Sequence, residues 1–156
     1  MWFRRKVQAR RDGRFAVDLE AWERDLLRSL PGRLRELLTT DDPALERLFP
    51  PAYLNDDEHN DEYQRLMRDD LMGSRLTSLG VLEATVDATT LDEGQLLAWL
   101  GSLNDLRLVL GTKLDVSEDM DDEPFAADDP RAAAYALYRY LAELQDWIVT
   151  ALSTTL

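Results

Sequence analysis

The chain's one histidine, His59, lies within Asp56-Asp57-Glu58-His59-Asn60-Asp61-Glu62, a run of hard oxygen donors with a single imidazole. Oxygen donors of this kind can hold a divalent cation. A zinc hydrolase helix, however, needs two histidines one turn apart, as in His-Glu-x-x-His, and this run has one. The seven residues read more simply as a charged helix start, where carboxylates favour the positive end of the helix dipole. The acidic stretch 115–123 invites a calcium reading but has no central glycine to turn a calcium loop, so a solvated or partner-facing loop is expected there. No metal site is therefore assigned. Nucleophilic chemistry has no more support: there is no cysteine, no Gly-x-Ser-x-Gly turn and no glycine-rich phosphate loop. Carboxylates in so acid-rich a chain do not by themselves mark a hydrolase. No catalytic residue and no cofactor are expected.

Polar residues inside apolar helical stripes are more informative. At 100° per residue, Arg107 falls within the stripe of Leu96, Leu100, Leu103 and Leu110, with Asn104 beside it, and Asp70 falls between Tyr63, Leu66 and Met67. A buried arginine needs a carboxylate, because an unpaired buried charge costs several kcal/mol. Asp70, Asn104 and Arg107 are therefore expected to meet as a structural polar cluster; a small-ligand or metal site at the same residues is the alternative.

The elements that must position these groups follow from spacing. Phe3, Arg5, Val7 and Phe15, Val17, Leu19 alternate around Arg11-Asp12-Gly13-Arg14, which predicts a β-hairpin over roughly 2–17, with Asp-Gly suited to a type I′ turn. Asp18 is expected to cap a helix carrying Leu19, Trp22, Leu26, Leu27 and Leu30, interrupted at Pro31-Gly32, with Leu34, Leu37 and Leu38 on a second piece. Asp42-Pro43 opens a short helix with Leu45, Leu48 and Phe49, stopped by Pro50-Pro51. Residues 56–88 read as one long helix with Tyr63, Leu66, Met67, Leu71, Val81 and Leu82 as its stripe, Gly73 and Gly80 being weak points that mark close packing or a kink. Residues 92–111 form the most hydrophobic helix, expected to be central and to end at Gly111. Gly94, Ala98, Gly101 and Ser102 offer it a side on which another helix can approach closely. Asp129-Pro130 opens the last helix, with the stripe Leu137, Leu141, Leu144, Ile148 and Leu152. The fold class is mainly α, a helical bundle with an N-terminal β-hairpin. One domain spans 1–156, divided into a basic hairpin (1–17) and a helical bundle (18–156) with an acidic loop at 113–130.

The charge is unevenly spread over this plan. The 156 residues carry a net charge of −13, yet residues 1–14 hold six basic groups (Arg4, Arg5, Lys6, Arg10, Arg11 and Arg14) against Asp12 alone. That segment is +5 on a body of −18, which reads as a local site for anions, either DNA or an acidic partner. Residues 113–130 hold eight acids and one base and are expected to be the most mobile interior segment. With no cysteine there is no disulfide framework and no thiol switch. No apolar run reaches the roughly 18 residues of a membrane span, and no apolar stretch follows the N-terminal arginines, so a cytoplasmic location without membrane contact is expected.

Several segments together resemble a known family. Asp42-Pro43-Ala44-Leu45-Glu46-Arg47-Leu48-Phe49-Pro50-Pro51-Ala52-Tyr53 is similar to a DPALxRLFPxAY segment, and Glu62-Tyr63-Gln64-Arg65-Leu66 with Asp70-Leu71 to an EYRRL…DL segment. Trp99-Leu100 through Leu103-Asn104-Asp105-Leu106-Arg107-Leu108-Val109-Leu110-Gly111-Thr112 resembles WLxxLNDxRLxLGT, and Leu141-x-x-Leu144-Gln145 fits its last helix. These motifs resemble the actinobacterial family of unknown function that includes the oxidative-stress transcriptional regulator AosR. The resemblance covers most of the chain and implies a non-enzymatic role in transcription, through promoter DNA or a protein of the transcription apparatus. In one respect the chain departs from that picture: sensing through paired thiols cannot operate without cysteine. Against direct DNA contact stands the net charge of −13, so only residues 1–14, with Arg24, Arg28, Arg33 and Arg35, are available to meet phosphates. The competing reading is a helical interaction module that forms a homodimer and has no DNA role.

Overall fold

A computed structural model describes residues 5–40, 42–45, 48, 57–114 and 125–154, with the side chains of 57–61 and 64 outside that description. The order is β1 (Val7–Ala9), β2 (Phe15–Val17), α1 (Ala21–Leu38), a 3-10 turn (Pro43–Leu45), α2 (Asp57–Thr85), β3 (Thr90–Leu91), α3 (Glu93–Leu114) and α4 (Arg131–Ser153). The fold is mainly α, with a three-stranded antiparallel sheet in the order β1-β2-β3. Val7 faces Val17, Ala9 faces Phe15, and Phe15 in turn faces Leu91.

The hairpin forms, but its strands are shorter than the alternation predicts, with Arg5 before β1, Leu19 after β2 and Phe3 outside the described residues, and its turn is longer than a two-residue Asp-Gly turn. Gly13 N–H donates to Arg10 C=O (3.3 Å) and Arg10 N–H to Arg14 C=O (2.8 Å). Gly13 holds φ +84°, the left-handed conformation that closes a three-residue loop with a bulge. The third strand was not read from the sequence: Thr90–Leu91 is two residues long, too short for alternation to register.

Two helix ends differ from expectation. Glu20, not Asp18, occupies the N-cap of α1, where Glu20 and Glu23 form a capping box. The helix also continues through Pro31, which is buried, without interruption. Leu27, Leu30, Leu34 and Leu38 all enter the core, and their burial offsets the hydrogen bond that proline removes. Gly111 does not end α3 but lies buried within it, and the helix continues to Leu114. At the start of α3, Asp92 accepts the Gln95 N–H (2.7 Å) while Gln95 Oε1 accepts the Asp92 N–H (2.9 Å). Asp42 caps the 3-10 turn through Ala44 N–H (2.8 Å). Asp129 accepts Arg131 N–H (2.9 Å) before α4.

α3 is central, packed by α4 and α2, with Leu96, Trp99 and Leu103 fully buried. Trp99 Nε1 donates to Thr85 Oγ1 across the α2–α3 contact (2.7 Å). Leu141, Leu144 and Ile148 supply the inner face of α4, as its stripe predicts. The stripe expected for α2 is only half right. Of its six residues only Leu82 is buried, Leu71 and Val81 are half-buried, and Tyr63, Leu66 and Met67 are exposed, because the first half of the helix extends beyond the core; Leu79, outside that stripe, and Val86, just past the helix, are buried instead.

The α2 glycines do not mark close packing. A Cβ built at Gly73 or Gly80 meets nothing within 4 Å. Gly73→Ala and Gly80→Ala are each expected to stabilise the fold by about 0.5–1 kcal/mol, since alanine restricts the unfolded chain and fits the helix. Urea unfolding checks this, and a loss of stability in either variant would refute the open surroundings seen here.

Candidate functional site

The basic segment is presented by the hairpin, and its six cations have different fates. Arg4 lies outside the described residues. Arg5 and Arg11 are exposed. Arg10 meets Asp12 at 3.2 Å, both half-exposed, and Arg14 Nη2 donates to Thr90 Oγ1 on β3 (3.2 Å). Lys6 turns inward to Glu23. Gln8, Ala9, Arg10, Arg11, Asp12 and Ala16 bound an open depression of about 690 Å³ on the outer side of the hairpin. What remains for an outside anion is a ridge carrying Arg5 and Arg11, with Arg10 and Arg14 in reach.

Lys6 belongs to a clasp that the sequence did not announce. Glu23 on α1 is 1% exposed and accepts from Lys6 Nζ, from Tyr140 OH on α4 (3.0 Å) and from the Glu20 backbone N–H (2.8 Å). Burial pushes the Glu23 carboxyl up, but the hydrogen bonds from Lys6, Glu20 and Tyr140 outweigh it and hold the group below the ordinary glutamate value. The Tyr140 hydroxyl is pushed well above its usual range by burial and by the Glu23 charge. Lys6 Nζ also lies 5.5 Å from the Tyr140 ring centroid and 6.0 Å from that of Trp22, within range of a cation–π attraction. The two rings sit 5.6 Å apart. Hairpin, α1 and α4 are thus joined through one buried carboxylate. A Leu-rich pattern cannot signal such a contact, since Glu23 and Tyr140 are 117 residues apart in sequence.

The arginines of α1 do not serve the basic surface as expected. Arg24 donates to Val86 C=O (2.8 Å), Ala88 C=O (3.0 Å) and Val17 C=O (3.3 Å), bracing the strands against the end of α2. Arg28 pairs with Asp25 (2.7 Å) and Asp87 (2.5 Å), and Arg35 with Glu83. Of the four, only Arg33 has its side chain in solvent with none of these ties.

The expected contact between Asp70 and Arg107 does not form. Asp70 is exposed on the projecting half of α2. Arg107 is half-buried, and Nη2 makes a 3.5 Å contact with Asn104 Oδ1, which also accepts from Gln145 Nε2 on α4 (3.3 Å). Asn104 and Arg107 do meet, with Gln145 rather than Asp70 as the third member. The carboxylate that α3 buries against an α2 cation is instead Asp105, paired with Arg75, whose Nη2 also donates to Leu48 C=O (2.8 Å). Burial pushes the Asp105 carboxyl up while Arg75 pulls it down, and burial wins.

Among the described residues no three His, Cys, Asp or Glu side chains cluster as a metal site. Asp56 and the side chains of Asp57, Glu58, His59, Asn60 and Asp61 lie outside the described residues, as does 115–124, so the expected mobility of the acidic loop finds no reading here. No described helix is long and apolar enough to cross a membrane.

Comparison with known proteins sets this geometry in context. A family model described as "Domain of unknown function (DUF2017)" matches residues 3–152. AosR of Mycobacterium leprae is 32% identical over 133 residues, which is 74% of this chain and 60% of that protein. Proteins of Mycobacterium bovis and Mycobacterium tuberculosis, both named "Oxidative stress regulator AosR", are 27% identical over an alignment of 190 positions covering 95% of this chain and 86% of theirs. No solved structure matches the chain.

Proposed function

We propose that this chain, which belongs to the family described as a domain of unknown function (DUF2017), is a non-enzymatic regulator that works by contact, with the hairpin as its contact surface and a protein of the transcription apparatus as its partner. The regulatory part of this reading rests on relatives named for oxidative stress regulation. The observation that carries the contact surface is the outward ridge of Arg5 and Arg11, held by the clasp on a chain whose net charge is −13. A cationic ridge on an acidic body favours an anionic patch of limited size. A DNA duplex presents phosphates over a wide surface and would meet the acidic body as well. Promoter DNA is the second reading, favoured by the same +5 segment. A signal for oxidative stress would reach this chain through its partner, since it has no cysteine to oxidise.

The test replaces Arg4, Arg5, Arg10, Arg11 and Arg14 by Ser in the full chain and compares pull-downs from the native cell extract and gel shifts with the intact protein. The expected outcome is loss of a transcription-apparatus protein from the pull-down, with no duplex shift in either protein. A salt-dependent duplex shift that the substitutions abolish moves the assignment to DNA. Undiminished capture of partners by the substituted protein overturns the hairpin as the surface.

A further inference from the structure

One face of α4 repeats the chemistry of the clasp without its cation. At the clasp, Lys6 Nζ lies 5.5 Å from the Tyr140 ring centroid and is paired with a carboxylate, Glu23. Trp147 follows Tyr140 by seven residues, so it stands on the same side of the helix, about 10 Å further along its axis. Glu143 lies between them, one turn from each, and Asp146 borders Trp147. Helical side chains lean toward the N-terminus, so the Trp147 ring leans over the turn that carries Glu143. Both carboxylates are exposed, and neither is in an ion pair among the described residues. Trp147 is half-buried and packs against the core, which fixes its ring. Two open depressions share these carboxylates. The larger, about 680 Å³, includes Tyr140, and the smaller, about 280 Å³, is lined by Glu143, Asp146, Trp147 and Thr150. Among the described residues the one cation lining either is Arg139, which is itself engaged within the chain.

We infer that this face of α4 binds a basic segment of a partner protein, with an arginine side chain over the Trp147 ring and within reach of Glu143 and Asp146. The carboxylates set the sign of the ligand. An anionic partner is repelled here, by these two groups and by the net charge of −13 behind them, whereas a cationic segment is attracted. The ring sets the kind of cation. A planar guanidinium can stack on an indole and donate to carboxylates from its edge at the same time, which a compact ammonium cannot. Because core packing already holds the ring, little conformational freedom is lost when it is covered. At Tyr140 the chain fills the equivalent place with Lys6, and at Trp147 the place is left to a cation from outside. The hairpin and this face therefore select opposite charges, so the α4 site goes beyond the contact proposed for the hairpin and stands without it.

The experiment follows the fluorescence anisotropy of a labelled peptide of alternating arginine and serine as the full chain is added, at about 0.15 M salt. A chain of net charge −13 attracts any cationic peptide, so the variants are matched in charge. Glu143→Gln with Asp146→Asn is compared with Asp69→Asn with Asp70→Asn, two exposed carboxylates on α2. The wild type is expected to bind. The α4 pair is expected to weaken binding at least about tenfold, and the α2 pair to change it less than about twofold. Trp147→Leu keeps an apolar side chain against the core, and circular dichroism confirms its fold. It is expected to lower the affinity for the arginine peptide to that for a lysine–serine peptide of the same length. Equal weakening by the two carboxylate pairs overturns the inference, since binding then follows overall charge alone. A wild type that does not bind the peptide also overturns it, as does a Trp147→Leu variant that keeps the full preference for arginine. Should Trp147→Leu fail to fold, the carboxylate pairs decide. None of the substituted residues lies in the hairpin, so the result is independent of the contact proposed there.

Discussion

Replacing Arg75 by Met is expected to destabilise the fold by about 3–5 kcal/mol, because it leaves a buried carboxylate without its counter-charge. Asp105 is 3% exposed, in the middle of α3, and Arg75 is the cation that reaches it from α2. The same guanidinium donates to Leu48 C=O at 2.8 Å, so the substitution also removes that hydrogen bond. Replacing both charged residues, as in Arg75→Met with Asp105→Leu, is expected to recover most of the loss, since no charge then remains to be solvated in the interior. The pH dependence has a definite sign. Burial already holds the folded-state pKa of Asp105 above its ordinary value of 3.8. A carboxyl raised in this way favours the protonated form in the folded state, so it opposes folding at neutral pH and opposes it less as pH falls through that raised value. Without Arg75 the upward shift grows. The deficit of Arg75→Met therefore narrows on acidification. Urea unfolding of the two single variants and the double variant, at neutral and mildly acidic pH, measures both effects. Additive losses, or a deficit that widens in acid, would refute the pairing.

This pair also shows what the sequence could and could not reveal. Leucine spacing located the helices, and the Asp-Gly turn located the hairpin, because each of these is a local pattern. Helical spacing puts Asn104 and Arg107 together on α3, and the two do meet there. The α2 residue that reaches α3 is Arg75 and not Asp70, because the periodicity of α2 is ambiguous. Tyr63, Leu66 and Met67 repeat at helical spacing, yet they sit on a half-helix that the core never reaches. Arg75, one turn before the buried Leu79, is where α2 begins to meet α3, and nothing local distinguishes it from Arg65 or Arg68. Pro31 failed as a breaker for the opposite reason: local chemistry argued for an interruption, and the burial of Leu27, Leu30, Leu34 and Leu38 on one face overrode it. The basic segment was legible as charge, but not its division into Lys6, Arg10 and Arg14, which have partners within the chain, and Arg5 and Arg11, which face outward. For Lys6 and Arg14 that division depends on Glu23 and on β3, neither of which leaves a mark near residues 1–14.

Glu23→Ala is expected to cost about 2–4 kcal/mol and to loosen the hairpin more than the rest of the molecule. The substitution removes the reciprocal half of the α1 capping box, worth about 1 kcal/mol in comparable caps. It also leaves Tyr140 OH and Lys6 Nζ without their acceptor. The sign with pH is opposite to that at Asp105. The folded-state pKa of Glu23 lies below its ordinary value of 4.5, so its contribution is fully present above that value and is lost as pH falls through the lowered one. Wild type should therefore lose this increment in acid, and Glu23→Ala should show no such loss, so the two converge at low pH. Lys6→Met separates the charge from the cap, because Glu23 keeps the Glu20 N–H and Tyr140 hydrogen bonds and the loss should be smaller. Released from Glu23, the hairpin keeps its ladder to β3, the Arg24 hydrogen bond to Val17, its core side chains Val7, Phe15 and Val17 and the contact of β1 with α4, while Lys6 becomes free to join Arg5 and Arg11 on the outer ridge. The clasp thus sets how many cations the ridge presents. Amide exchange at Val7 and Ala9 reads the hairpin directly: faster exchange in Glu23→Ala than the global loss accounts for supports the clasp. Protection that falls only in step with global stability would show that the clasp does not hold the strands separately from the rest of the fold.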